Sequence, residues 1–204
     1  FQEVDASIKR LLELAKVSKE NPLFGGFAKG SFRYARSNAD KKLQDLDDPT
    51  EYVFEAIGAA EKEVGSQIDS GGILFTKFED VYLVSSEGPV GADSRSAIEL
   101  SIRAFSEREA SGHGVECSST LKDFKPSRAG SKAGEIAKLA KNPKVGEEGV
   151  YDVIYDPLIF GSLFGVWGSM VSAFSVLIQQ SVFVNRLGQK VAPENVTLKD
   201  NPSA

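Results

Sequence analysis

The sequence predicts an α+β protein. A helix–antiparallel strands–helix central module is followed by a strand and a long buried helix that starts a second, β-rich domain. Three observations carry this reading. Apolar residues at helical spacing flank a stretch whose period changes to two after Ser70-Gly71-Gly72. The strand-like runs between Ile73 and Ser119 are joined by short turn signals, which suits antiparallel pairing and leaves no room for crossover helices. From Pro157 to Val184 there is no Asp, Glu, Lys or Arg, and strand signals return after that run.

The elements follow in order. Val4, Ile8, Leu11, Leu12 and Ala15 recur at helical spacing, with Lys9, Arg10, Glu13 and Lys16 between them, and Asn21-Pro22 closes this amphipathic helix. Residues 24–46 combine Gly25, Gly26 and Gly30 with Phe24, Phe27, Phe32 and Tyr34, and read as loop plus one short helix. Asp48-Pro49-Thr50-Glu51 is a helix start, with Asp48 as N-cap, Pro49 at N1 and Glu51 at N3. Val53, Ile57, Ala60 and Val64 trace its apolar face and Gly65 is its C-cap. Ile73–Phe78 and Val81–Val84 are short β-type runs, read as a hairpin around Glu79-Asp80. Ser86-Glu87-Gly88-Pro89 is a turn. Ile98, Leu100, Ile102 and Ala104 alternate with Glu99, Ser101 and Arg103, the pattern of a half-buried strand. Val115–Ser119 is its expected partner, across a turn near Ser111-Gly112. A helix from about Ser127 to Lys141 presents Ile136, Ala137 and Ala140, and Asn142-Pro143 ends it.

After a polar linker at 143–149, Val150–Tyr155 reads as a strand, and the uncharged run follows. Such a run could cross a bilayer, which needs about 20 apolar residues. Ser162, Ser169, Ser172, Ser175, Gln179 and Gln180 make it only moderately hydrophobic, and no Lys/Arg cluster flanks it. Gly161, Gly165, Ser169 and Ala173 form a small-residue seam, so the expectation is a buried helix approached closely by another backbone, with no membrane span. Ser181–Val184, Gln189–Val191 and Val196–Lys199 read as strands.

Composition excludes several functions. The chain has 204 residues, is 41% hydrophobic and 26% charged, and carries a net charge of -5. That balance fits a globular protein and lacks the Lys/Arg surplus of a nucleic-acid binder. One His and one Cys cannot complete any of the usual zinc sites within the chain. One Cys cannot form an internal disulfide, which points to a reducing compartment. The chain begins at Phe1 inside a helical pattern and ends without a closing element, so it reads as an internal piece of a longer protein with no visible signal peptide.

Few residues offer chemistry. His113, in Ser111-Gly112-His113-Gly114, is a turn-like His that could be a base or simply exposed. Cys117 falls on the same strand face under alternation, and reads as a small core residue. Asp45, Asp47 and Asp48 precede a helix and Glu147-Glu148 lies in the linker, consistent with capping and solvation. Lys132, Lys138, Lys141 and Lys144 make one helix basic, by default a solvated face. Gly25-Gly26 and Gly71-Gly72 match neither phosphate-binding fingerprint. The residues alone assemble no catalytic, metal or cofactor site.

The segment Gly149-Val150-Tyr151-Asp152-Val153-Ile154-Tyr155-Asp156-Pro157 resembles the G-x-y-D-V-v-x-x-P strand of the TldD/PmbA family. Ser181-Val182-Phe183, Leu187-Gly188-Gln189-Lys190-Val191 and Asp200-Asn201-Pro202 follow in the family's order, and Ser85-Ser86-Glu87-Gly88 is similar to its n-S-x-G turn. The opening helix resembles the one that closes the family's first domain. The family is labelled both modulator of DNA gyrase and peptide-maturation protease. The resemblance implies three parts: residues 1–46 end an N-terminal domain, 47–143 are the central α+β domain, and 149–204 start an incomplete C-terminal domain.

It also implies a cytoplasmic, two-subunit metallopeptidase. The TldD-type subunit holds zinc through H-E-x-x-x-H and a distant Cys, and the PmbA-type (TldE) subunit lacks these ligands. Matching anchored on Ser181-Val182-Phe183 puts Phe164 and Ser169 at the two His positions and Gly165 at the Glu position. No His or Glu exists between Pro157 and Val184, so no shift of register restores the motif. The expectation is a PmbA-like subunit with no catalytic, metal or cofactor residue of its own, zinc residing in a TldD-type partner. Expected partners are that subunit or a second copy of this chain as a dimer, plus an extended peptide bound by strand addition, with no nucleic acid and no membrane. Two alternatives stand beside it: a non-enzymatic regulatory module of the gyrase-modulator type, and a self-sufficient peptidase with His113 as base.

Overall fold

The computed structural model describes residues 2–22, 24–31 and 39–199. Phe32, Tyr34 and the Asp200-Asn201-Pro202 motif lie outside the described residues. Internal contacts divide the chain into two units, Phe1–Val145 and Gly146–Ala204.

In the first unit, helix α1 spans Gln2–Val17. It is amphipathic as its sequence predicts, but the stripe of Val4, Ile8, Leu11 and Leu12 is exposed. The short helix α2, Lys41–Gln44, begins where the Asp40 carboxylate accepts from the Lys42 amide at 3.0 Å. Helix α3 covers Thr50–Val64. The N-cap is Pro49, one residue later than the sequence suggests, and Asp48 just before it accepts from the Thr50 amide at 2.9 Å and from its hydroxyl. These two hydrogen bonds hold the Asp48 carboxyl below its ordinary pKa of 3.8. Gly65 ends α3 in the left-handed conformation, φ +82°, where a Cβ is disfavoured.

Three antiparallel strands follow in the order β1-β2-β3: Asp69–Val84, Val90–Glu107 and Ala110–Ser118. Helix α4, Pro126–Leu139, then packs on β2 and β3, and α3 packs on α4. The α+β class is therefore the one the sequence predicts. The core lies between the sheet and this helix layer, with Ile98, Leu100, Ile102 and Ala104 of β2 facing Ala129, Ala133 and Ala137 of α4. Tyr52 meets Phe124 edge-to-face at 5.6 Å on its flank.

Two turn expectations are corrected. Glu79-Asp80 does not turn; β1 runs through it, with Glu79 opposite Arg95 and Asp80 opposite Ser94. Asp80 accepts from the Ser94 hydroxyl at 2.6 Å, and its strand is exposed enough to keep the charges solvated. The hairpin turn lies at Ser85–Pro89, where Gly88 supplies φ +113°. Ser111-Gly112-His113-Gly114 is likewise strand, the turn being at Arg108-Glu109. Its glycines serve close approach. A Cβ on Gly112 would lie 2.1 Å from the Ala133 carbonyl oxygen, and one on Gly114 2.0 Å from that of Ala129. Between Phe105 and Glu107 a bulge shifts the register. It aims the Ser106 hydroxyl at the Ala137 carbonyl (2.6 Å), satisfying an acceptor near the end of α4.

In the second unit, Asp156 caps α5, Pro157–Met170, through the Leu158 amide at 3.1 Å, with Pro157 at its start. The helix forms, but two further expectations are corrected. It has no buried residue, and the seam is broken because Ala173 belongs to a separate short helix, α6, Ala173–Leu177. Val150–Tyr155, Ser181–Val184, Gln189–Val191 and Val196–Lys199 are not strands. A strand exists only through a ladder partner, and none of these segments has one among the described residues.

Candidate functional site

The helix layer covers one face of the sheet and leaves the other open. On that open face β3 places His113, Val115 and Cys117 in a row, as alternation predicts. Cys117 is exposed there and is not the core residue expected; the core positions of β3 are the glycines, which α4 approaches too closely for a side chain.

His113 is opposite Arg103, and its Nε2 lies 2.8 Å from the Ser101 hydroxyl on β2. The Arg103 guanidinium donates to the Ser111 hydroxyl at 3.1 Å. A hydroxyl and an imidazole in contact are two members of a nucleophilic site. The third, a carboxylate orienting the other ring nitrogen, does not appear among the hydrogen bonds of the described residues. The pair sits on an open sheet face, not in a cleft that excludes water. Ser101-His113 therefore reads as a cross-strand polar pair.

The positions that the resemblance implies for the zinc motif fall on α5. Phe164 packs against Phe160 with ring centroids 5.6 Å apart. Gly165 has open space where a side chain would be. The Ser169 hydroxyl donates to the Val166 carbonyl at 2.7 Å. A phenyl, a missing side chain and a back-bonded hydroxyl do not fit a zinc ion, so no step through a metal is derived for this chain. Among the described residues no group of three or more His, Cys, Asp or Glu converges as a metal site.

Other charged residues take structural roles. Glu116 lies 3.7 Å from Arg128, and Lys141 3.9 Å from Glu107. The Glu147 carbonyl accepts from the Tyr151 hydroxyl at 2.8 Å. Asp48, just before the Pro49 N-cap of α3, accepts from the Thr50 amide through its side chain, whereas Asp45 is the C-cap of α2 and acts through its backbone.

Two features lacked a sequence signal. Asp40 joins α2 to the sheet: its amide donates to the buried Ser96 hydroxyl (2.8 Å), and its carboxylate accepts from the Leu121 amide (2.9 Å). Ser96 in turn donates to the Ser119 carbonyl at 2.8 Å. These partners are distant in sequence, so no local pattern announces them. A cleft of about 820 Å³ opens at the end of α3, lined by Glu61, Gln67, Asp69, Ser106, Glu107 and Arg108, among others. Its walls are the last turn of α3, a loop and strand ends, which no local periodicity brings together.

No helix among the described residues is long and apolar enough to cross a membrane. The sequence profile of the PmbA/TldA metallopeptidase central domain matches residues 40–141, and that of the C-terminal domain matches residues 148–204. No curated protein matches. Two solved structures, both labelled candidate modulators of DNA gyrase, share the fold. The protein from Bacteroides thetaiotaomicron is 22% identical, with a TM-score of 0.71 over 99% of this chain and 48% of its own. The protein from Thermotoga maritima is 20% identical, with a TM-score of 0.59 over 87% of this chain and 42% of its own. The chain thus spans about half the length of the structures it matches. With the central-domain profile covering half of its residues and the C-terminal profile following in order, the chain belongs to the TldD/PmbA family.

Proposed function

We propose that this chain is part of a PmbA-type subunit of a two-subunit metallopeptidase, in the cytoplasm, and that the zinc is held by a TldD-type partner. One observation carries the assignment of subunit type. Within a metallopeptidase family, the positions implied for the H-E-x-x-x-H motif are Phe164, Gly165 and Ser169, on a helix with no His or Glu. The role of the chain is then to complete the fold and the substrate channel. An extended peptide suits that role, because a three-stranded sheet whose outer strand β1 is exposed can accept it as a further strand.

The test is a peptide-cleavage assay with zinc analysis, comparing the full-length protein alone with the protein plus its TldD-type partner. Zinc and activity are expected only with the partner. Stoichiometric zinc and cleavage by the protein alone would sink the proposal.

The label carried by both solved structures favours a second reading, a non-enzymatic module that modulates DNA gyrase. Capture of gyrase by the intact protein, together with no cleavage in either arm of the assay, would favour it.

A further inference from the structure

On the open face of the sheet, β1 and β2 carry the basic residues Lys77, Arg95 and Arg103. Lys77 lies 3.1 Å from Glu79 and Arg95 3.2 Å from Asp93, so each has a carboxylate two residues along its own strand. Arg103 is placed differently. Its neighbours at that spacing are Ser101 and Phe105, and no carboxylate among the described residues forms an ion pair with it. Across the ladder it faces His113 on β3 and, on its other side, Gly71 on β1. A guanidinium directly opposite a protonated imidazole is an unfavourable cross-strand pair. An anion between the two turns that repulsion into attraction.

We propose that Arg103 and His113, with Ser101 and Ser111, bind a phosphoryl oxyanion on the open face of the sheet. Each basic group is held by one nitrogen. Arg103 donates through Nη1 to the Ser111 hydroxyl at 3.1 Å, and His113 Nε2 lies 2.8 Å from the Ser101 hydroxyl. The Nε and Nη2 donors of Arg103 are left for a ligand, and so is the Ser111 proton, because that hydroxyl accepts from Arg103. A forked guanidinium, a hydroxyl and an imidazole offer more donors than the two oxygens of a carboxylate can use, and suit an anion with three or four oxygens.

The neighbours on this face leave room and set the side of approach. Gly71 brings no side chain, and nothing lies within 4 Å of where its Cβ would be, so the sheet is open beside Arg103. Asp69, opposite Phe105, is the acidic residue diagonal to Arg103 on β1. It repels an anion from the β1 side and favours the side of His113. The inference rests on this sheet face alone and not on the peptidase reading.

The test is a titration of the full chain with inorganic phosphate at constant pH and ionic strength. Because His113 is the only histidine, its imidazole gives a single set of ring resonances. These are expected to shift saturably, with half-saturation at about 1–10 mM, as suits an exposed site. Acetate and chloride should give no saturable shift. Glycerol 3-phosphate distinguishes the sources. Saturation by it as well as by phosphate supports a phosphoryl group carried on a larger molecule, and saturation by phosphate alone supports the free ion. Arg103→Gln is expected to weaken binding about tenfold, the loss of one charge-assisted contact. Arg95→Gln removes the same charge from the same face and should change nothing, while Asp69→Asn should tighten binding about threefold. Circular dichroism checks that each variant is folded. A response that does not saturate by about 100 mM phosphate overturns the proposal. So does an equal response to acetate, or an Arg95→Gln loss as large as that of Arg103→Gln. None of these outcomes bears on the zinc and cleavage assay.

Discussion

The crossing of α3 and α4 gives the sharpest quantitative test. Gly130 sits in the middle of α4, where helix propensity favours Ala by about 1 kcal/mol. Propensity alone therefore predicts that Gly130→Ala stabilises the protein. The packing predicts the reverse. A Cβ on Gly130 would lie 1.9 Å from the Ala56 carbonyl oxygen and 2.7 Å from its carbon, both backbone atoms of α3. No rotamer can relieve a contact with backbone, so the helices must separate by about 1.5 Å to reach ordinary contact. Separation also loosens Ala60 against Gly134, where a Cβ would already stand 2.5 Å from a carbonyl oxygen. Overpacking of this kind costs about 3 kcal/mol, the upper end of the usual range, because neither side is a flexible side chain.

Subtracting the propensity gain leaves a net loss of about 2 kcal/mol for Gly130→Ala. That corresponds to a melting-temperature drop of about 10 °C for a module of this size. Gly58→Ala is the internal control. Gly58 is also mid-helix, but a Cβ there meets nothing within 4 Å, so this variant should gain about 1 kcal/mol. Urea unfolding followed by far-ultraviolet circular dichroism is the suitable assay. Fluorescence of the single Trp167 would report on the second unit instead. If Gly130→Ala is as stable as wild type while Gly58→Ala behaves as stated, backbone contact between α3 and α4 is refuted.

Four further outcomes are expected. Gly65→Ala should lose about 1 kcal/mol in the same assay, because its φ of +82° is unfavourable with a Cβ. Asp48 contributes stability that is complete above its unfolded pKa of 3.8 and is lost as the pH falls through its lower folded value. Asp48→Asn should therefore flatten the acid limb of melting temperature against pH, and an unchanged limb would count against the Asp48–Thr50 hydrogen bonds. Ser101→Ala and His113→Ala should leave peptide cleavage by the assembled subunits unchanged, since the pair lacks an orienting carboxylate; a large loss in kcat would reinstate His113 as a base. Gly165→Leu should not lower the melting of this chain, since nothing lies within 4 Å and Leu is the better helix former, and should weaken assembly with a TldD-type subunit in co-purification if α5 is packed there.

The elements legible in the sequence were those written in local rules. Asp48 and Gly65 mark α3 because a carboxylate that accepts from the first turn and a left-handed residue lie within one turn of its two ends. The β2 alternation was legible because Ile98, Leu100 and Ile102 bury one face while Glu99, Ser101 and Arg103 do not. Errors arose where one residue type serves two purposes. Gly112 and Gly114 resemble turn glycines but make room for α4. Glu79-Asp80 resembles a turn but is the solvated middle of an edge strand. The Asp40–Ser96 link was illegible because it closes a long loop in sequence. Of the candidate site, the donor set at Phe164, Gly165 and Ser169 was legible because side-chain identity alone decides whether a metal can be ligated. The Ser101–His113 contact was not, because it depends on the β2–β3 register.

The two glycine-bearing helices show why spacing alone could not locate the close approach. In α4, Ala129, Gly130, Ala133, Gly134 and Ala137 make one small face, and two layers use it: Gly130 and Gly134 meet Ala56 and Ala60 of α3, while Ala129 and Ala133 meet Gly114 and Gly112 of β3. In α5 the Gly161–Gly165–Ser169 spacing is just as regular, yet its glycines meet nothing within 4 Å. A small-residue face permits close approach but supplies no attraction of its own; a second surface must fit it. What distinguishes α4 is complementarity on the other side, small residues placed on α3 and β3 at matching heights. That complementarity is a property of pairs of elements, so it can be sought in sequence only by comparing faces.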